Sequence, residues 1–398
     1  MISFETALQK VLEQVQNYGT EKIHLSKSEN RVLGESVYAD RDFPPFDRAT
    51  KDGIAINSKI LEQGERFFET ENIAQAGAPQ LELKNSWKCI EIMTGALVPK
   101  QTDTVIMYEH LHRKNNGFEL VQEATKGQNI HYQGSDVTAG TELLRPNLRL
   151  TAAEVGALAS VGKKEVMVKS VPRIAVIATG DELVDVDKKP LPFQIRKSNS
   201  HSLQSLLKKQ GIASNCYHLK DDKKALESSL KEYLQKYDVL LLSGGVSKGK
   251  YDFLPETLTA LGVEQLFHKV AQRPGKPFWF GIHKTERTVV FAFPGNPVST
   301  FVNFHVYFEP WLDQTLGVNT SRFSVILEEA IQNTTPLTLF KGVKLSLKSG
   351  SLYARPISTT GSGDVIGLTK IDGFIQLAPK ATFEQGREMP FIPTRTLL

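Results

Sequence analysis

A predicted strand that ends in a glycine-rich, basic loop is the segment with the clearest capacity for chemistry. The apolar run 239–242 is followed by the segment 243–252, in which two glycines precede two lysines and a final aspartate. Such a loop presents backbone N–H groups and cations to phosphate, and a nearby carboxylate can hold a metal. We therefore predict an anion-binding site formed by Ser243, Gly244, Gly245, Val246, Ser247, Lys248, Lys250 and Asp252.

This loop is not a P-loop, although residues 244–250 fit the spacing G-x-x-x-x-G-K. The next residue of a P-loop is Ser or Thr, which binds magnesium, and in this chain it is Tyr251. Three further loops, 179–182, 273–277 and 294–299, also follow apolar runs. Four loops of this kind within one segment predict a shared crevice at one edge of a sheet.

Carboxylates follow two other predicted strands. Asp181 and Glu182 come directly after an apolar run, where they could bind magnesium through oxygen or simply favour the start of a helix. After the predicted strand 216–219, one of Asp221 and Asp222 should be the N-cap of the next helix, and the other would face the crevice. The sequence leaves both alternatives open for the first pair.

Cations and a helix start complete the candidate crevice. Lys269, Arg273 and Lys276 suit a small tetrahedral oxyanion, although a solvated loop would also contain such residues. In the segment 294–299, Pro297 is placed to begin a helix whose N–H groups point at an anion, and a plain structural turn is the alternative.

Composition places few other demands on function. The chain has 398 residues, is 40% hydrophobic and carries a formal net charge of +4, which favours a globular protein with a small anionic ligand over one that binds nucleic acid. Cys89 and Cys216 are the two cysteines, so neither a disulfide framework nor a structural zinc site is expected. With no targeting segment or membrane span in the sequence, we predict a cytoplasmic location.

The periodicity predicts several domains. A helix is expected from Phe4 to Val15, and short strand-like runs alternate with polar turns from about residue 51 to 140. Strands then alternate with helices over 200–210, 222–235 and 297–312, which predicts a three-layer α/β domain with a parallel-dominated sheet. The last part of the chain, after about residue 318, is predicted to be a small β-barrel or sandwich. We predict a helical and extended domain (1–46 and 141–171) with a β-rich insertion (47–140), an α/β domain (172–318) and a C-terminal β-barrel domain (319–398).

An ordered set of motifs resembles the molybdopterin molybdenumtransferase family, which includes the bacterial MoeA enzymes and the E domain of gephyrin. Each motif is weak alone, and their order along nearly the whole chain is specific. The strongest are Thr-Gly-Asp-Glu-Leu at 179–183, Ser-Gly-Gly-Val-Ser at 243–247, Pro-Gly-Lys-Pro at 274–277 and Pro-Gly-Asn-Pro-Val-Ser at 294–299. Further matches are at 51–53, 93–96, 127–130 and 361–364.

The resemblance implies a multidomain α/β plus β homodimer that inserts molybdate into adenylylated molybdopterin and releases AMP with the help of Mg²⁺. It also implies transient contact with the molybdopterin adenylyltransferase and other proteins of cofactor biosynthesis. It assigns catalysis to Asp52, Asp181, Glu182, Asp221 and Asp252, and magnesium binding to Asp181, Glu182 and Asp252. It assigns substrate binding to Thr94, Asp136, Thr179, Gly180, Ser198, Asn199, Ser243, Gly244, Gly245, Val246, Ser247, Lys269, Arg273, Lys276, Pro294, Gly295, Asn296, Pro297 and Ser362, with Asp52, Thr94 and Asp136 coming from the partner subunit.

Three positions depart from the family pattern: Ile54, Lys197 and Lys248. The two lysines predict additional positive charge beside the ligand. Two other hypotheses remain from the sequence: a gephyrin-like dimeric scaffold without turnover, and a nucleotide hydrolase that resembles the competence-damage proteins.

Overall fold

The computed structural model describes residues 1–246, 252–319 and 323–395. The chain divides into two compact units. We call Met1–Gly34, Pro146–Ala152 and Glu165–Leu398 the core unit, and Glu35–Arg145 and Ala153–Lys164 the inserted unit. The domain boundaries predicted from the sequence stay predictions.

Short helices are interspersed with many short strands along the described residues. The helices are α1 (Phe4–Leu12), α2 (Ala152–Ser160), α3 (Ser198–Lys209), α4 (Lys223–Lys236), α5 (Leu254–Ala260), α6 (Pro297–Asn303) and α7 (Glu309–Leu316). The first strands are β1 (Thr20–His24), β2 (Val37–Tyr38), β3 (Arg48–Ala49), β4 (Gly53–Ile56), β5 (Phe67–Ala74), β6 (Cys89–Ile92), β7 (Thr104–Met107), β8 (Leu111–Lys114), β9 (Gly117–Leu120), β10 (Ile130–His131), β11 (Glu142–Leu144) and β12 (Glu165–Lys169). The central strands are β13 (Ile174–Thr179), β14 (Leu183–Val184), β15 (Ile195–Arg196), β16 (Ser214–Leu219), β17 (Val239–Ser243), β18 (Glu264–His268), β19 (Gln272–Arg273), β20 (Trp279–His283) and β21 (Thr288–Phe293). The last strands are β22 (Phe323–Leu327), β23 (Ile331–Asn333), β24 (Thr338–Lys348), β25 (Ser351–Pro356), β26 (Gly373–Leu377), β27 (Ala381–Phe383) and β28 (Glu388–Pro393).

A six-stranded sheet of order β16-β13-β17-β21-β20-β18 forms the centre of the core unit. The first four strands are parallel, and β20 and β18 are antiparallel to their neighbours. Because β13, β17 and β21 are buried on both faces, they are continuous apolar runs rather than alternating ones. The parallel-dominated sheet predicted from the sequence is therefore confirmed.

Two hydrophobic clusters cover the two faces of this sheet. Alternate residues such as Val176 and Leu241 pack with α1, α3, α6 and α7 on one face. Their neighbours, such as Ile177 and Leu242, pack with α4 and α5 on the other face. Successive side chains of a strand point to opposite faces, so the three-layer arrangement follows from these runs.

Two predicted helices differ in detail from the structure. Helix α1 ends at Leu12 rather than near Val15, and the Gln14 carbonyl beyond it accepts a hydrogen bond from Trp311 Nε1 instead of continuing the helix. The predicted helix 297–312 is α6 and α7 joined by a π-helical turn, Phe304–Phe308, and it runs on to Leu316.

The C-terminal strands of the core unit close into a barrel. The order β24-β25-β22-β28-β26 returns to β24, because β26 also pairs with β24. Val343, Ile375 and Leu377 are among the residues that fill its interior. Strand β19 adds to β24, with Gln272 opposite Thr338, so the loop after β19 starts from the barrel.

The inserted unit contains a six-stranded sheet of order β7-β4-β6-β5-β9-β8. Its strands lie within the segment that the sequence predicts to be β-rich. Two apolar clusters, one around Ile54 and Phe68 and one around Ala55 and Ile90, pack on its faces. Across the described residues of both units, no helix is long and apolar enough to cross a membrane.

Candidate active site

Glycines at the ends of the central strands form a cradle in the core unit. Gly244 follows β17 with φ +104°, and its N–H donates to the Phe293 carbonyl at the end of β21 (3.1 Å). A Cβ on Gly244 would lie 2.6 Å from the Thr179 carbonyl oxygen and 2.8 Å from Thr179 Oγ1. Only glycine fits this backbone conformation and approach.

The buried hydroxyl of Thr179 has no hydrogen-bond partner within the described residues. Buried polar groups are usually paired, so an orphaned hydroxyl beside two glycines is a place where a polar ligand group would be accepted. Gly180 and Gly245, which also have positive φ, line the same strand ends. This cradle is the candidate position for the phosphate group that the sequence predicts.

Asn199 braces the cradle rather than facing open space. Its Nδ2 donates to Ser243 Oγ (2.8 Å) and to the Gly295 carbonyl (2.7 Å). The Pro294 carbonyl in the same turn accepts from Thr300 Oγ1 (2.6 Å). The end of β17 and the turn 294–297 are thereby held together.

Four carboxylates interact beside the cradle. Burial raises the pKa of Asp221, and the charges of Asp181 and Glu182, with a smaller contribution from Asp252, raise it further. The Asp221 N–H donates to Asp181 Oδ1 (3.4 Å). Asp222 is the N-cap of α4, since its Oδ1 accepts from the Ala225 N–H (2.8 Å), which resolves the alternatives for this pair.

The carboxylates are near one another without forming a preformed metal cage. In the part of the chain that the structure describes, no group of three or more His, Cys, Asp or Glu side chains is arranged to hold a metal ion. Ser198 lies at the start of α3, close in sequence to Asn199. Lys197 forms an ion pair with Asp185, so its charge is compensated rather than added to the ligand side as the sequence suggested.

A cavity of about 490 Å³ lies between the cation-bearing loop, the turn after β21 and the barrel. Arg273 and Lys276 line it, with Asn296 and Ser299 from the turn. Ser362 joins them, and its Oγ and carbonyl accept from Asn296 Nδ2 (2.9 Å) and from the Val298 N–H (3.0 Å). The helix start that was expected to face an anion therefore already donates one N–H to the protein.

Some predicted residues lie elsewhere. Lys269 has a left-handed backbone (φ +72°) at the entry to the loop and is outside the cavity lining. Val246 is buried, and its carbonyl accepts from His268 Nε2 (3.0 Å). Ser247, Lys248 and Lys250 lie outside the described residues.

The inserted unit holds Asp52 and Thr94 as one pair. Thr94 donates through its N–H (2.5 Å) and its Oγ1 (2.7 Å) to the same oxygen, Asp52 Oδ1. These two hydrogen bonds lower the pKa of Asp52. The Asp52 carbonyl accepts from the N–H of Tyr108, whose hydroxyl donates to Glu91, so Asp52 is tied to the edge of the sheet.

Asp136 belongs to a second pair that the sequence did not indicate. His131 Nε2 contacts Asp136 Oδ1 (2.8 Å), and His131 Nδ1 contacts Arg48 Nη2 (3.2 Å). A guanidinium can only donate, so Nδ1 accepts, and the proton of this neutral tautomer is on Nε2, where it is donated to Asp136. Strands β3 and β10 place Arg48 opposite His131, a pairing between residues far apart in sequence.

Comparison with known proteins agrees with these features. Residues 2–162 match the family described as the MoeA N-terminal region (domain I and II), and residues 175–314 match a probable molybdopterin-binding domain. A Synechocystis protein named molybdopterin molybdenumtransferase is 37% identical over 98% of this chain and 99% of its own length. A Staphylococcus epidermidis protein of the same name is 31% identical over 94% of this chain and 91% of its own length.

Solved structures give the same result. The structure of a molybdopterin biosynthesis MoeA protein from Pyrococcus horikoshii superimposes with a TM-score of 0.81 at 27% identity, covering 99% of this chain and 100% of that one. The fold is thus that of a multidomain α/β plus β protein whose residues 175–314 match a probable molybdopterin-binding domain. The chain belongs to the molybdopterin molybdenumtransferase (MoeA) family.

Proposed function

We propose that this protein is a transferase of molybdenum cofactor biosynthesis, which inserts molybdate into adenylylated molybdopterin and releases AMP and the molybdenum cofactor. Full-length similarity to proteins named molybdopterin molybdenumtransferase supports this proposal and does not favour a scaffold without turnover. One structural observation carries it. The turn 294–297 contacts both parts of the site. Its Gly295 carbonyl accepts from Asn199 beside the glycine cradle, and its Asn296 lines the cavity with Arg273 and Lys276.

The two halves of this site suit the two ends of the reaction. Breaking a phosphoanhydride requires positioning and charge neutralisation more than a covalent nucleophile. The cradle of Thr179, Gly180, Gly244 and Gly245 would hold the nucleotide phosphates. Arg273 and Lys276 would bind molybdate or the terminal phosphate of the pterin, since both ligands are tetrahedral oxyanions.

Asp181, Glu182 and Asp252 are the residues that would hold Mg²⁺, with Asp221 beside them. Carboxylate oxygens are the ligands that this ion prefers, and it usually keeps several waters, so an open group of acids suits it. When bound, Mg²⁺ supplies neutralisation of the charge on the phosphates. The acids of this chain would hold the ion, and their charge would help to orient the phosphate.

The inserted unit would contribute Asp52, Thr94 and Asp136 to the site of a partner subunit. This part of the proposal takes the protein as a cytoplasmic homodimer that meets the molybdopterin adenylyltransferase and other proteins of cofactor biosynthesis transiently. The carboxylates of Asp52 and Asp136 are exposed, and each is held by a neighbouring side chain. Exposure is required of any group that acts on a ligand bound by another subunit.

The proposal is tested by measuring AMP release from adenylylated molybdopterin in the presence of Mg²⁺ and molybdate. We expect release by the wild type and its loss in Asp252→Ala, with Asp222→Ala as a matched control, since Asp222 caps a helix. No release by a folded wild-type protein with authentic substrate would contradict the proposed function. Full activity of Asp252→Ala would remove only that residue from the mechanism.

A further inference from the structure

The cation-bearing loop lies on a buried polar network that the reaction itself does not explain. Gln272, Asn303 and Tyr307 are each fully buried, at 0% exposure. They come from β19, from the end of α6 and from the π-helical turn. Around them are aromatic rings, including Phe278, whose centroid lies 4.8 Å from that of Tyr307. Polar groups in such surroundings cost free energy unless every one is paired.

Two loop carbonyls dictate the orientation of every group in the network. Gln272 Nε2 donates to the Pro274 carbonyl (2.9 Å) and to Asn303 Oδ1 (2.9 Å). Asn303 Nδ2 donates to the Gly275 carbonyl (3.3 Å). Carbonyls only accept, so both amides must point their NH₂ groups at the loop, and Gln272 Oε1 is left facing Tyr307.

Tyr307 completes the network as a donor. Its hydroxyl donates to Gln272 Oε1. Burial raises the pKa of this hydroxyl well above its ordinary value, so it remains protonated. This bond fixes the Gln272 amide. If the amide rotated by half a turn, Oε1 would lose its donor and would face two acceptors, the Pro274 carbonyl and Asn303 Oδ1.

The loop itself is closed tightly over these side chains. The Val270 N–H donates to the Lys276 carbonyl (2.9 Å). Gly275 has φ +92°, and a Cβ there would overlap Asn303 Oδ1. Arg273 and Lys276 are exposed at the two ends of this turn and line the cavity. Fully satisfied buried networks rigidify the segments that they join.

We propose that Gln272, Asn303 and Tyr307 are positioning residues that fix the loop so that Arg273 and Lys276 converge on the oxyanion in the cavity. This inference rests on the proposed function, because it takes molybdate as the occupant. The three residues are fully buried and act through the loop backbone, and Gln272 also borders the cavity, whereas Asn303 and Tyr307 are not part of its lining. Apolar residues of similar size would fill the same space, so the network's particular contribution is the orientation of the loop.

The test is a calorimetric titration of the full-length protein with sodium molybdate. Tyr307→Phe removes one hydroxyl and little volume, and Gln272→Met removes the amide that it orients. Thr288→Val is the matched control, because Thr288 is also fully buried and its hydroxyl bonds the Leu234 (2.7 Å) and Tyr237 (3.0 Å) carbonyls away from the loop. The melting temperature and AMP release of each variant are measured in parallel.

We expect Tyr307→Phe, which removes one hydrogen bond, to raise the Kd for molybdate about five- to tenfold. Gln272→Met removes three and should raise that Kd by at least as much. Thr288→Val should lower the melting temperature without changing that Kd. In the double variant the two effects should not add, because both remove the same restraint. AMP release should recover at high molybdate in the single variants.

Two results would overturn the inference, and they are distinguishable. If the wild type binds molybdate while Tyr307→Phe and Gln272→Met keep the same Kd and only melt earlier, like Thr288→Val, the network is structural. If the folded wild type neither binds molybdate nor releases AMP, the occupant of the cavity is wrong, and the proposed function falls with the inference. Should one variant not fold, the other single variant decides the first question.

Discussion

The polar network behind the cation loop of the core unit and two site carboxylates of the inserted unit lie in opposite surroundings. Behind the cation loop of the core unit, Gln272, Asn303 and Tyr307 are fully buried and mutually bonded. In the inserted unit, Asp52 and Asp136 are exposed and each is held by one neighbouring side chain. A hydrogen bond in a dry interior is stronger and costlier to break than one in water. Changes in the buried groups of the core unit should therefore alter stability and binding together, whereas changes at the two exposed carboxylates should alter activity alone.

Gly244→Ala should have the largest effect and would test the buried side of this comparison. The added Cβ meets the Thr179 carbonyl at 2.6 Å on a backbone with φ +104°, so the strand ends must move apart. We expect activity to fall by about 100-fold or more, as misplacement of about 1 Å at a reacting centre can cause, with a lower melting temperature. AMP release and thermal unfolding measure the two effects.

Gly295→Ala is the control for that substitution. Gly295 is exposed in the adjoining turn, and a Cβ there would find its nearest neighbour at an ordinary 3.6 Å, on Gly244 Cα. It should keep near-wild-type stability. Equal losses of stability in both variants would mean that the cradle is no tighter than the turn beside it.

The ion pair between Asp313 and Arg149 tests how strongly burial in the core unit makes the free energy of unfolding depend on pH. Burial raises the pKa of Asp313 to about 6, although Arg149, whose Nη2 lies 3.0 Å from its Oδ1, opposes the rise. A carboxyl with a raised folded pKa stabilises the fold below the unfolded pKa, and this contribution is lost as pH rises through about 4 to 6. The loss is about 3 kcal/mol for a shift of about 2 units.

Asp313→Asn should remove this pH dependence. Denaturant unfolding at about pH 4 and about pH 7 should show the variant gaining up to about 3 kcal/mol relative to wild type at the higher pH. Asp238→Asn is a matched control, because Asp238 also pairs with an arginine, Arg173, at a more exposed site. A difference between variant and wild type that is the same at both pH values would show that Asp313 is not desolvated as the structure indicates.

Thr94→Ala tests the exposed side. It removes the Oγ1 bond to Asp52 and keeps the backbone bond, which is the larger cause of the lowered pKa of Asp52. We expect AMP release to fall about tenfold, the order of one hydrogen bond to a charged group. The melting temperature should not change. Thr94→Ser, which keeps the hydroxyl, should retain the activity of the wild type. If Thr94→Ala instead lowers the melting temperature and keeps full activity, the pair of Asp52 and Thr94 stabilises the fold and does not act on the substrate.

Much of the fold could be predicted because its causes are local. The fully apolar runs of β13 and β17 predicted a buried parallel sheet. An N-cap at one of Asp221 and Asp222 followed from their place after a strand, and the structure shows that it is Asp222. The glycine loops predicted the cradle. The end of α1 was wrong because Trp311, distant in sequence, takes the Gln14 carbonyl.

The supporting residues were not predictable for the same reason. Asn303 and Tyr307 lie on the apolar face of a helix and read as ordinary core positions. Arg48 and His131 are isolated polar residues until β3 and β10 pair. The role of each residue depends on a hydrogen-bond partner tens of residues away, and neither spacing nor composition identifies such pairs. Residues that bear the chemistry are therefore easier to find in sequence than residues that hold them.

His131→Leu should have the smallest effect and probes how far exposure weakens a positioning contact. It breaks the connection between Arg48 and Asp136, whose side chain is 54% exposed and reaches water when unpaired. We expect AMP release to fall about two- to fivefold, and the free energy of unfolding to change by less than about 0.5 kcal/mol. The loss should shrink in His131→Gln, whose amide can donate to Asp136 and accept from Arg48. An effect as large as that of Gly244→Ala would mean that Asp136 is desolvated in the working assembly, because a buried carboxylate depends far more on its one donor than an exposed one does.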